Sequence, residues 1–311
     1  SLACSVELQQ ELPQSMMLSI AYVGSRGTHL LGAVDLNQPQ PGAYITSGIY
    51  GPGAGNTTVN NVNYPILNQI RPYKGYGSIN DIVPWFNSNY NALQAQMQKR
   101  FKDGSLVDVN YTWSHALTDN QTDRSTAVQN IYNIAGEYGP SQLDRRHIFT
   151  ADFVYMLPFL KNTDTLLGKT LGGWQVSGII TANAGLPLTV TTSADPAGLG
   201  LRNPSSLAGA RPDQIGDPNS APHTRLNWFN TAAFAQVPAG EYRAGNERRG
   251  AVRGPGFQRW DLSLAKIFTI REQMNFQLRG DFINAWNHTN WDGVSTATTS
   301  ATFGQITSAR D

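Results

Sequence analysis

The stretch from Phe257 to Trp286 constrains the fold most strongly, because apolar and polar residues alternate along two long arms. The arms, 257–270 and 273–286, are joined by the charged pair Arg271-Glu272. A period of two describes a β-strand with one apolar face and one polar face. Each arm holds roughly a dozen residues, whereas strands of soluble sheets usually hold about five or six. That length suits a tilted strand that crosses a bilayer.

The second arm shows the alternation most clearly. Its apolar parity carries Met274, Phe276, Leu278, Gly280, Phe282 and Trp286. The other parity carries Asn275, Gln277, Arg279 and Asp281. The arm therefore predicts a strand with an apolar face on one side and a polar, water-facing side on the other.

Six earlier segments alternate in the same way and predict three further antiparallel pairs. They are Val6 to Leu12, Met16 to Gly24, Tyr90 to Phe101, Leu106 to His115, Arg146 to Leu157 and Trp174 to Ala182. A helix is the competing interpretation of 90–101, because Ala, Leu, Gln and Met favour helices. The tight turn Lys102-Asp-Gly-Ser105 and the strand pattern after it favour a hairpin. A bend is predicted at Gly185-Leu-Pro187, and Phe303 to Ile306 predicts the start of a ninth strand.

The lengths of the connections alternate as well. Short links join strands one to two, three to four, five to six and seven to eight. Long polar segments, about 32–87, 118–145 and 191–256, join the other pairs. Irregular loops of this length count against a compact soluble domain. Short turns at one end and long loops at the other are typical of an up-and-down barrel in a bacterial outer membrane. The sequence thus predicts an all-β, antiparallel, transmembrane β-barrel segment with long extracellular loops.

Aromatic residues lie near the ends of the predicted strands, as membrane-interface girdles require. They are Tyr22, Tyr111, Trp113, Tyr155, Trp174, Trp260 and Trp286. Lys99 and Lys266 fall on the apolar parity, against the pattern. Both lie near a short turn, so we expect their ammonium groups to extend to the membrane surface.

Composition excludes several classes of protein. Only 14% of the 311 residues are charged and the net charge is +1, which gives no electrostatic basis for binding nucleic acid. No apolar run is long enough for a membrane-spanning helix, and the mean hydropathy is −0.34. That value is compatible with a membrane barrel, because barrel strands are apolar only at alternate positions. Cys4 is the single cysteine, so an intrachain disulfide is excluded. Because no signal peptide is visible and the first residue is Ser1, we expect a fragment.

The sequence offers no catalytic or cofactor motif. None of the five histidines pairs with another at metal-ligand spacing. The glycines of 51–55 lack the strand–turn–helix context of a dinucleotide site, and no nucleophile elbow is present. The cluster Asp144-Arg145-Arg146-His147 is interpreted as ordering a loop. We therefore expect no enzyme activity, no metal and no cofactor.

Stretches through nearly the whole chain match one family in order. They occupy 21–30, 89–101, 111–116, 144–149, 173–178, 185–190, 253–257, 261–266 and 278–291. Examples are Asp144-Arg-Arg-His-Ile-Phe149 and Gly173-Trp-Gln-Val-Ser-Gly178. On these residues the chain resembles the C-terminal barrel part of TonB-dependent outer-membrane receptors, specifically the Oar-like group with a carboxypeptidase-regulatory-like N-terminal domain.

The resemblance implies that residues 1–311 form part of a 22-stranded receptor barrel. The plug domain, the TonB box, the early strands and the closing strand would lie outside this sequence. It further implies a location in the bacterial outer membrane and uptake or export of an unidentified solute. The implied partners are outer-membrane lipid, the protein's own plug, TonB acting through that plug, and the barrel-assembly machinery.

Two groups of candidate site residues follow. The polar parity would form the wall of the lumen, with Gln94, Gln96, Gln98, Arg100, Asp108, Asn110, Asn275, Gln277, Arg279 and Asp281. The third long loop would capture ligand through Trp228, Phe229, Tyr242, Arg243, Arg248, Arg249 and Arg253, because loops on a rigid scaffold commonly carry function.

Two alternative folds stay open at the level of sequence. Eight strands can close a small barrel by themselves, which would make a pore or an adhesin. A soluble all-β module that binds carbohydrate or another surface would show a similar alternation. Pairing of the first strand with the eighth would favour the closed barrel. Packing of Leu93, Met97 and Phe101 against a second sheet would favour the soluble module.

Overall fold

Eight long strands form one antiparallel sheet in which every strand pairs with its neighbours in sequence. The computed structural model describes residues 1–43, 70–121, 128–158, 168, 172–201, 209–271 and 274–310. The strands are β1 (Leu2–Leu12), β2 (Met16–Asp35), β3 (Asn80–Arg100), β4 (Leu106–Thr118), β5 (His147–Met156), β6 (Trp174–Asn183), β7 (Phe257–Arg271) and β8 (Met274–Phe282). The short strand Gly139–Pro140 extends the sheet at the end of β4. The predicted all-β, up-and-down architecture is confirmed.

The register brings like residues opposite one another across the sheet. One row of directly paired positions contains Leu8, Ile20, Ala95, Tyr111, Phe149, Ala182 and Gln258. The adjacent row contains Gln9, Ser19, Gln96, Asn110, Thr150, Thr181 and Arg259. Because successive residues of a strand point to opposite sides, the first row belongs to an apolar face and the second to a polar face. We use these two names below.

The sheet is open within the described part of the chain. β1 pairs only with β2, and β8 pairs only with β7, so the two strands are edges. The closed eight-stranded ring, which requires pairing of β1 with β8, is therefore not formed. No second sheet covers the apolar face either, since Leu93 and Met97 remain 43% and 39% exposed. These observations disfavour both alternatives left open by the sequence.

Two strands extend beyond their predicted limits. β2 was expected to end near Gly24 but continues to Asp35, and β3 begins at Asn80, ten residues before Tyr90. The register shifts between Gly27 and Gly32, as in β-bulges. Glycines that looked like a turn thus mark irregularities inside a long strand.

The C-terminal part differs from the prediction. β8 ends at Phe282, and Trp286 lies in the following turn, where Asn284 and Asn287 adopt φ of +47° and +49°. Asparagine tolerates this left-handed backbone better than most residues. The strand predicted to start at Phe303 to Ile306 is present as β10 (Ile306–Arg310), but it pairs with β9 (Asn290–Val294) in a separate hairpin and does not extend the eight-stranded sheet.

The long loops fold into a layer at one end of the sheet. One apolar cluster contains Val34, Val83, Phe86 and Val128, and a second contains Val190, Phe229 and Val252. Short paired segments at 187–188 with 252–253 and at 213–214 with 234–235 lie between β6 and β7 and connect distant parts of the third long loop. The glycines of 51–55 lie outside the described residues. Among the described helices, none is long and apolar enough to cross a membrane.

Gly32 and Gly185 show why glycine is needed at two crowded positions. A Cβ on Gly32 would lie 2.4 Å from the ring of the fully buried Phe86. A Cβ on Gly185 would lie 1.8 Å from the carbonyl oxygen of Gly254, where the chain leaves β6. The first close approach lies between β2 and β3, and the second lies between the two ends of the third loop, at the predicted bend.

Candidate functional site

Asp108 is the centre of a polar network on β3 and β4. Its carboxylate accepts hydrogen bonds from Gln96 Nε2 at 3.0 and 3.2 Å, from Gln98 Nε2 at 3.2 Å and from Asn110 Nδ2 at 2.7 Å. Only 9% of Asp108 is exposed. The sheet therefore brings together four residues of the predicted lumen wall. Because the amide N–H groups satisfy the carboxylate oxygens, this patch is an ordered, hydrogen-bonded surface.

A second polar patch lies on β7 and β8. Arg259 Nε donates to Asp261 at 2.9 Å, and Arg279 Nε donates to Asp281 at 2.8 Å. Arg279 Nη2 also donates to Ser263 Oγ at 3.1 Å. These side chains line a groove of about 490 Å³ that crosses β5 to β8. Both signs of charge alternate here, so the groove suits a polar partner of mixed charge.

The remaining wall candidates lie on the same face without joining these patches through a described hydrogen bond. Gln94 pairs in register with Ala21 and Thr112, and Arg100 lies opposite Leu106. Gln277 is exposed opposite Ile267. The side chain of Asn275 lies outside the described part. The predicted wall is thus one face of one sheet, with two connected regions.

Asp144 joins three elements at the long-loop end of the sheet. Its side chain is fully buried and accepts hydrogen bonds from the backbone N–H of Ala116 at 2.7 Å and from Arg253 Nη2 at 2.5 Å. Arg146 Nε and His115 Nδ1 lie 3.3 and 3.2 Å away. Burial raises the pKa of Asp144, but the bonds from Ala116, Arg253 and His115 outweigh it and hold that pKa below its usual value. The cluster ties the third loop to the ends of β4 and β5, as the loop-ordering interpretation predicted.

Glu137 links the second long loop to the third. Its carboxylate, 1% exposed, lies 2.8 Å from Arg211 Nη2 and 2.5 Å from Arg249 Nε. The backbone N–H of Gln129 donates to the same carboxylate at 2.9 Å. Arg211 Nε donates in turn to the Gln129 side-chain oxygen at 2.8 Å. Because both arginines are also buried, this carboxylate is the structural centre of the loop layer.

Glu247 lies in the same buried region. Its Oε1 accepts a hydrogen bond from the Val190 backbone N–H at 2.8 Å, whereas its Oε2 is buried without a hydrogen-bond partner. Burial is the largest influence and raises the pKa of Glu247 to about 8. A cavity of about 560 Å³ lies beside Glu137, Arg211 and Glu247 and is otherwise lined mainly by amide side chains.

Most of the seven predicted ligand-capture residues hold the loops together. Phe229 is 1% exposed in the second apolar cluster, and Arg249 is buried against Glu137. Arg243 pairs with Asp213 at 2.7 Å and Glu241 at 2.8 Å. The hydrogen bond that the Arg243 side chain donates to Asp213 is the main reason that the pKa of Asp213 is lowered.

The other capture candidates differ in exposure. Trp228 is half-buried and donates its Nε1–H to the Arg253 carbonyl oxygen at 2.7 Å. Arg253 in turn binds Asp144. Tyr242 is half-buried, and Arg248 is exposed. Arg248 is therefore the candidate most accessible to an external ligand.

No local sequence signal singles out Glu137, Arg211 and Glu247. They stand in irregular, polar segments, where charged residues are normally solvated. Their burial arises from contacts distant in sequence, such as Arg211 with Glu137, 74 residues apart, and Glu247 with Val190, 57 residues apart. Across the described residues, no group of three or more His, Cys, Asp or Glu side chains is arranged to hold a metal ion.

Comparison with known proteins places the chain in a family. The family model described as an outer membrane beta barrel domain matches residues 2–311. A search of curated proteins finds no match. Among solved structures, the outer membrane transporter YddB from Escherichia coli is 7% identical, with a TM-score of 0.45 over 98% of this chain and 30% of that one.

Two further solved structures are similar over part of their length. FpvA of P. aeruginosa bound to heterologous pyoverdines is 12% identical, with a TM-score of 0.36 over 98% of this chain and 26% of that one. FpvAI in complex with pyocin S2 is 11% identical, with a TM-score of 0.36 over 99% of this chain and 26% of that one. This chain thus spans less than a third of each of the three proteins, and the assignment depends on the family match. The sheet, its two chemically distinct faces and the match over 2–311 show that the chain belongs to the outer membrane β-barrel domain family.

Proposed function

We propose that this chain forms part of the wall of a TonB-dependent outer-membrane receptor of the Oar-like group, which carries an unidentified solute across the membrane. The observation that carries the proposal is the open sheet, with β1 and β8 as edges and an apolar face along all eight strands. In a bilayer an open sheet edge leaves backbone N–H and C=O groups unpaired, which costs several kcal/mol for each group. A stable wall therefore needs further strands on both sides, as in a larger barrel.

The chemistry of the polar face supports the proposal that this face lines a lumen, and that the lumen holds a plug domain. The Asp108 network and the Arg259–Asp261 and Arg279–Asp281 pairs are hydrogen-bonded surfaces of mixed charge, which suit a folded protein partner. TonB would act through that plug, and the barrel-assembly machinery would insert the wall. In this proposal the chain performs no catalysis and holds no cofactor.

The loop layer supports ligand capture at the external surface. Arg248 is exposed, and Trp228 and Tyr242 are half-buried, on loops held by the Asp144 and Glu137 clusters. A rigid layer of this kind presents side chains in fixed positions, which reduces the entropy lost on binding. Within the proposal, these three residues are the contact candidates, while Phe229, Arg249 and Arg253 keep the layer folded.

The experiment that tests TonB dependence uses the full-length protein extracted from outer membranes. It is passed over an immobilised periplasmic domain of TonB, with an unrelated outer-membrane porin of comparable size as the control. We expect the protein to be retained and the porin to pass. A correctly folded protein that passes with the porin would refute TonB dependence and leave the family assignment unaffected.

A further inference from the structure

A cavity of about 630 Å³ opens at the long-loop ends of β5, β6 and β7. Its floor contains Phe149, Ala182 and Gln258, which are directly paired positions of the apolar face. Trp228 and Trp291 line it from the third loop and from the β9–β10 hairpin. The cavity is therefore on the side of the sheet that faces away from the polar face.

The aromatic wall of this cavity is already assembled. The rings of Trp228 and Trp291 are perpendicular with centroids 5.9 Å apart, and His223 contacts Trp228 edge-on at 5.2 Å. The Trp228 Nε1–H is fixed by its hydrogen bond to the Arg253 carbonyl oxygen. A preformed pocket of this size, mainly apolar with a few polar groups, is the usual form of a small-molecule site.

Polar groups lie at the rim of the cavity. His147 Nδ1 and the Tyr111 hydroxyl are hydrogen-bonded at 2.7 Å, with the two rings stacked. On the other side, His288 Nδ1 lies 3.2 Å from Nε2 of Gln258 on the floor. An apolar interior with a polar rim suits a ligand that has an apolar chain and a polar head.

The cavity is continuous with the membrane-facing surface of the sheet. Its floor residues share a register row with Leu8, Ile20 and Tyr111, which are exposed apolar residues on the same face. In an outer-membrane barrel this face contacts lipid, and the long loops mark the external side. Tyrosine and tryptophan prefer the level of the lipid head groups, which is where this rim would lie.

We infer that this cavity binds the acyl chain of a lipid from the external leaflet, with the lipid head group at the histidine-containing rim. A solute that travels through the lumen would not reach the site, because the floor belongs to the apolar face. Lipid binding at this cavity requires only that the apolar face of the sheet contacts the membrane. It does not depend on TonB or on the transported solute.

Two tryptophan variants test the inference. Ala182 and Ala95 occupy the same register row and are both half-buried, but only Ala182 lines the cavity. Ala182→Trp fills the cavity, whereas Ala95→Trp adds the same ring elsewhere on the lipid-facing surface. Each methylene excluded from an apolar site weakens binding about fourfold, so exclusion of two lowers lipid retention by about sixteenfold.

The measurement is native mass spectrometry of the full-length protein, purified in mild detergent and washed free of loosely held lipid. We expect one retained lipid per molecule for the unchanged protein and for Ala95→Trp, and about sixteenfold lower occupancy for Ala182→Trp. Absence of retained lipid in the unchanged protein, or equal retention in Ala182→Trp, overturns the inference.

A second measurement applies if Ala182→Trp does not fold. The unchanged protein and Trp228→Phe are reconstituted in bilayers of a phospholipid with brominated acyl chains, which quench nearby tryptophans. The difference between the two proteins reports Trp228 alone. Quenching of the Trp228 contribution supports an acyl chain in the cavity, whereas full emission from Trp228 contradicts it.

Discussion

The Lys266 ammonium nitrogen lies 2.6 Å from the carbonyl oxygen of Gly172, at the short-turn end of β6 and β7. It also lies over the rings of Trp174 and Phe268, with distances of 5.2 and 4.9 Å to their centroids. Lys99 Nζ likewise donates to Gln14 in the turn between β1 and β2, at 3.4 Å. Both lysines of the apolar parity therefore extend to the short-turn end, as predicted. This arrangement satisfies each charge at the boundary of the apolar face.

A charge on the apolar face of β8 should be costly. Phe276 is 56% exposed and lies opposite Phe268 across the β7–β8 pair. Phe276→Arg is expected to lower the free energy of unfolding in lipid, because such a charge costs from about 0–1 kcal/mol near the interface to about 2–4 kcal/mol at the bilayer midplane. Gln277→Arg, on the polar face of the same strand, is the matched control and should change little. Equal effects of the two substitutions in urea unfolding of the reconstituted protein would contradict the assignment of faces.

Removal of the Glu137 charge should loosen the loop layer. Glu137→Gln leaves the buried Arg211 and Arg249 without their carboxylate, and breaking a buried pair costs roughly 3–5 kcal/mol. We expect faster hydrogen exchange of backbone amides in 209–256. Glu241→Gln is the control, because Glu241 is half-exposed and exposed ion pairs contribute only about 0–1 kcal/mol. In this variant Arg243 still pairs with Asp213. Exchange rates that do not distinguish the two variants would refute the structural role of Glu137.

Glu247 should make the loop layer sensitive to pH. Its pKa is raised from 4.5 to about 8 by burial, so the folded layer holds a proton that the unfolded chain releases near pH 4.5. The folded state binds more protons than the unfolded state between these values, and stability therefore falls as pH rises through this window. Amide protection in the third loop should be highest near pH 5 and decline toward pH 8. Glu247→Gln should abolish this decline in amide protection. An unchanged decline in that variant would show that other groups cause the pH dependence.

Asp144 should respond in the opposite direction. Its pKa is held below the usual value of 3.8 by hydrogen bonds that outweigh burial, so its contribution is present above that value and lost as pH falls further. Asp144→Asn removes the charge that Arg253 and His115 contact. Hydrogen bonds to charged groups contribute about 1.5–3 kcal/mol, so we expect a lower midpoint of thermal unfolding at pH 7. The exposed Asp292→Asn serves as control and should not shift the midpoint. Equal midpoints for the two variants would count against the role of Asp144.

The wall was predictable from the sequence because its signal is local. Alternation along each strand identified the eight long strands, and the register then placed Phe276 opposite Phe268 and Gln96 opposite Asn110. The ends of strands were less predictable. Glycines near 24–32 resemble a turn in sequence, but the structure uses them for bulges and for the space that Phe86 occupies.

The loop layer was not predictable, because its interactions are not local and have no period. Nothing in the sequence near Glu137 indicates that its partners are Arg211 and Arg249. For the same reason Phe229 was expected at a binding surface, although it lies in an apolar cluster. The partner of the last strand was not predictable, since a short strand carries no information about its partner, and β10 pairs with β9 instead of extending the wall.

The most direct test of the central claim uses single spin labels along β3 and β4 in the full-length protein, with Cys4 replaced by serine. Labels at 93, 97 and 109 lie on the apolar face, and labels at 94, 96 and 110 lie on the polar face. In lipid bilayers we expect the first set to collide preferentially with dissolved oxygen and the second set with a water-soluble nickel complex. A clear alternation between the two reagents confirms a membrane-spanning wall. Equal accessibility of both sets to the water-soluble reagent would contradict it.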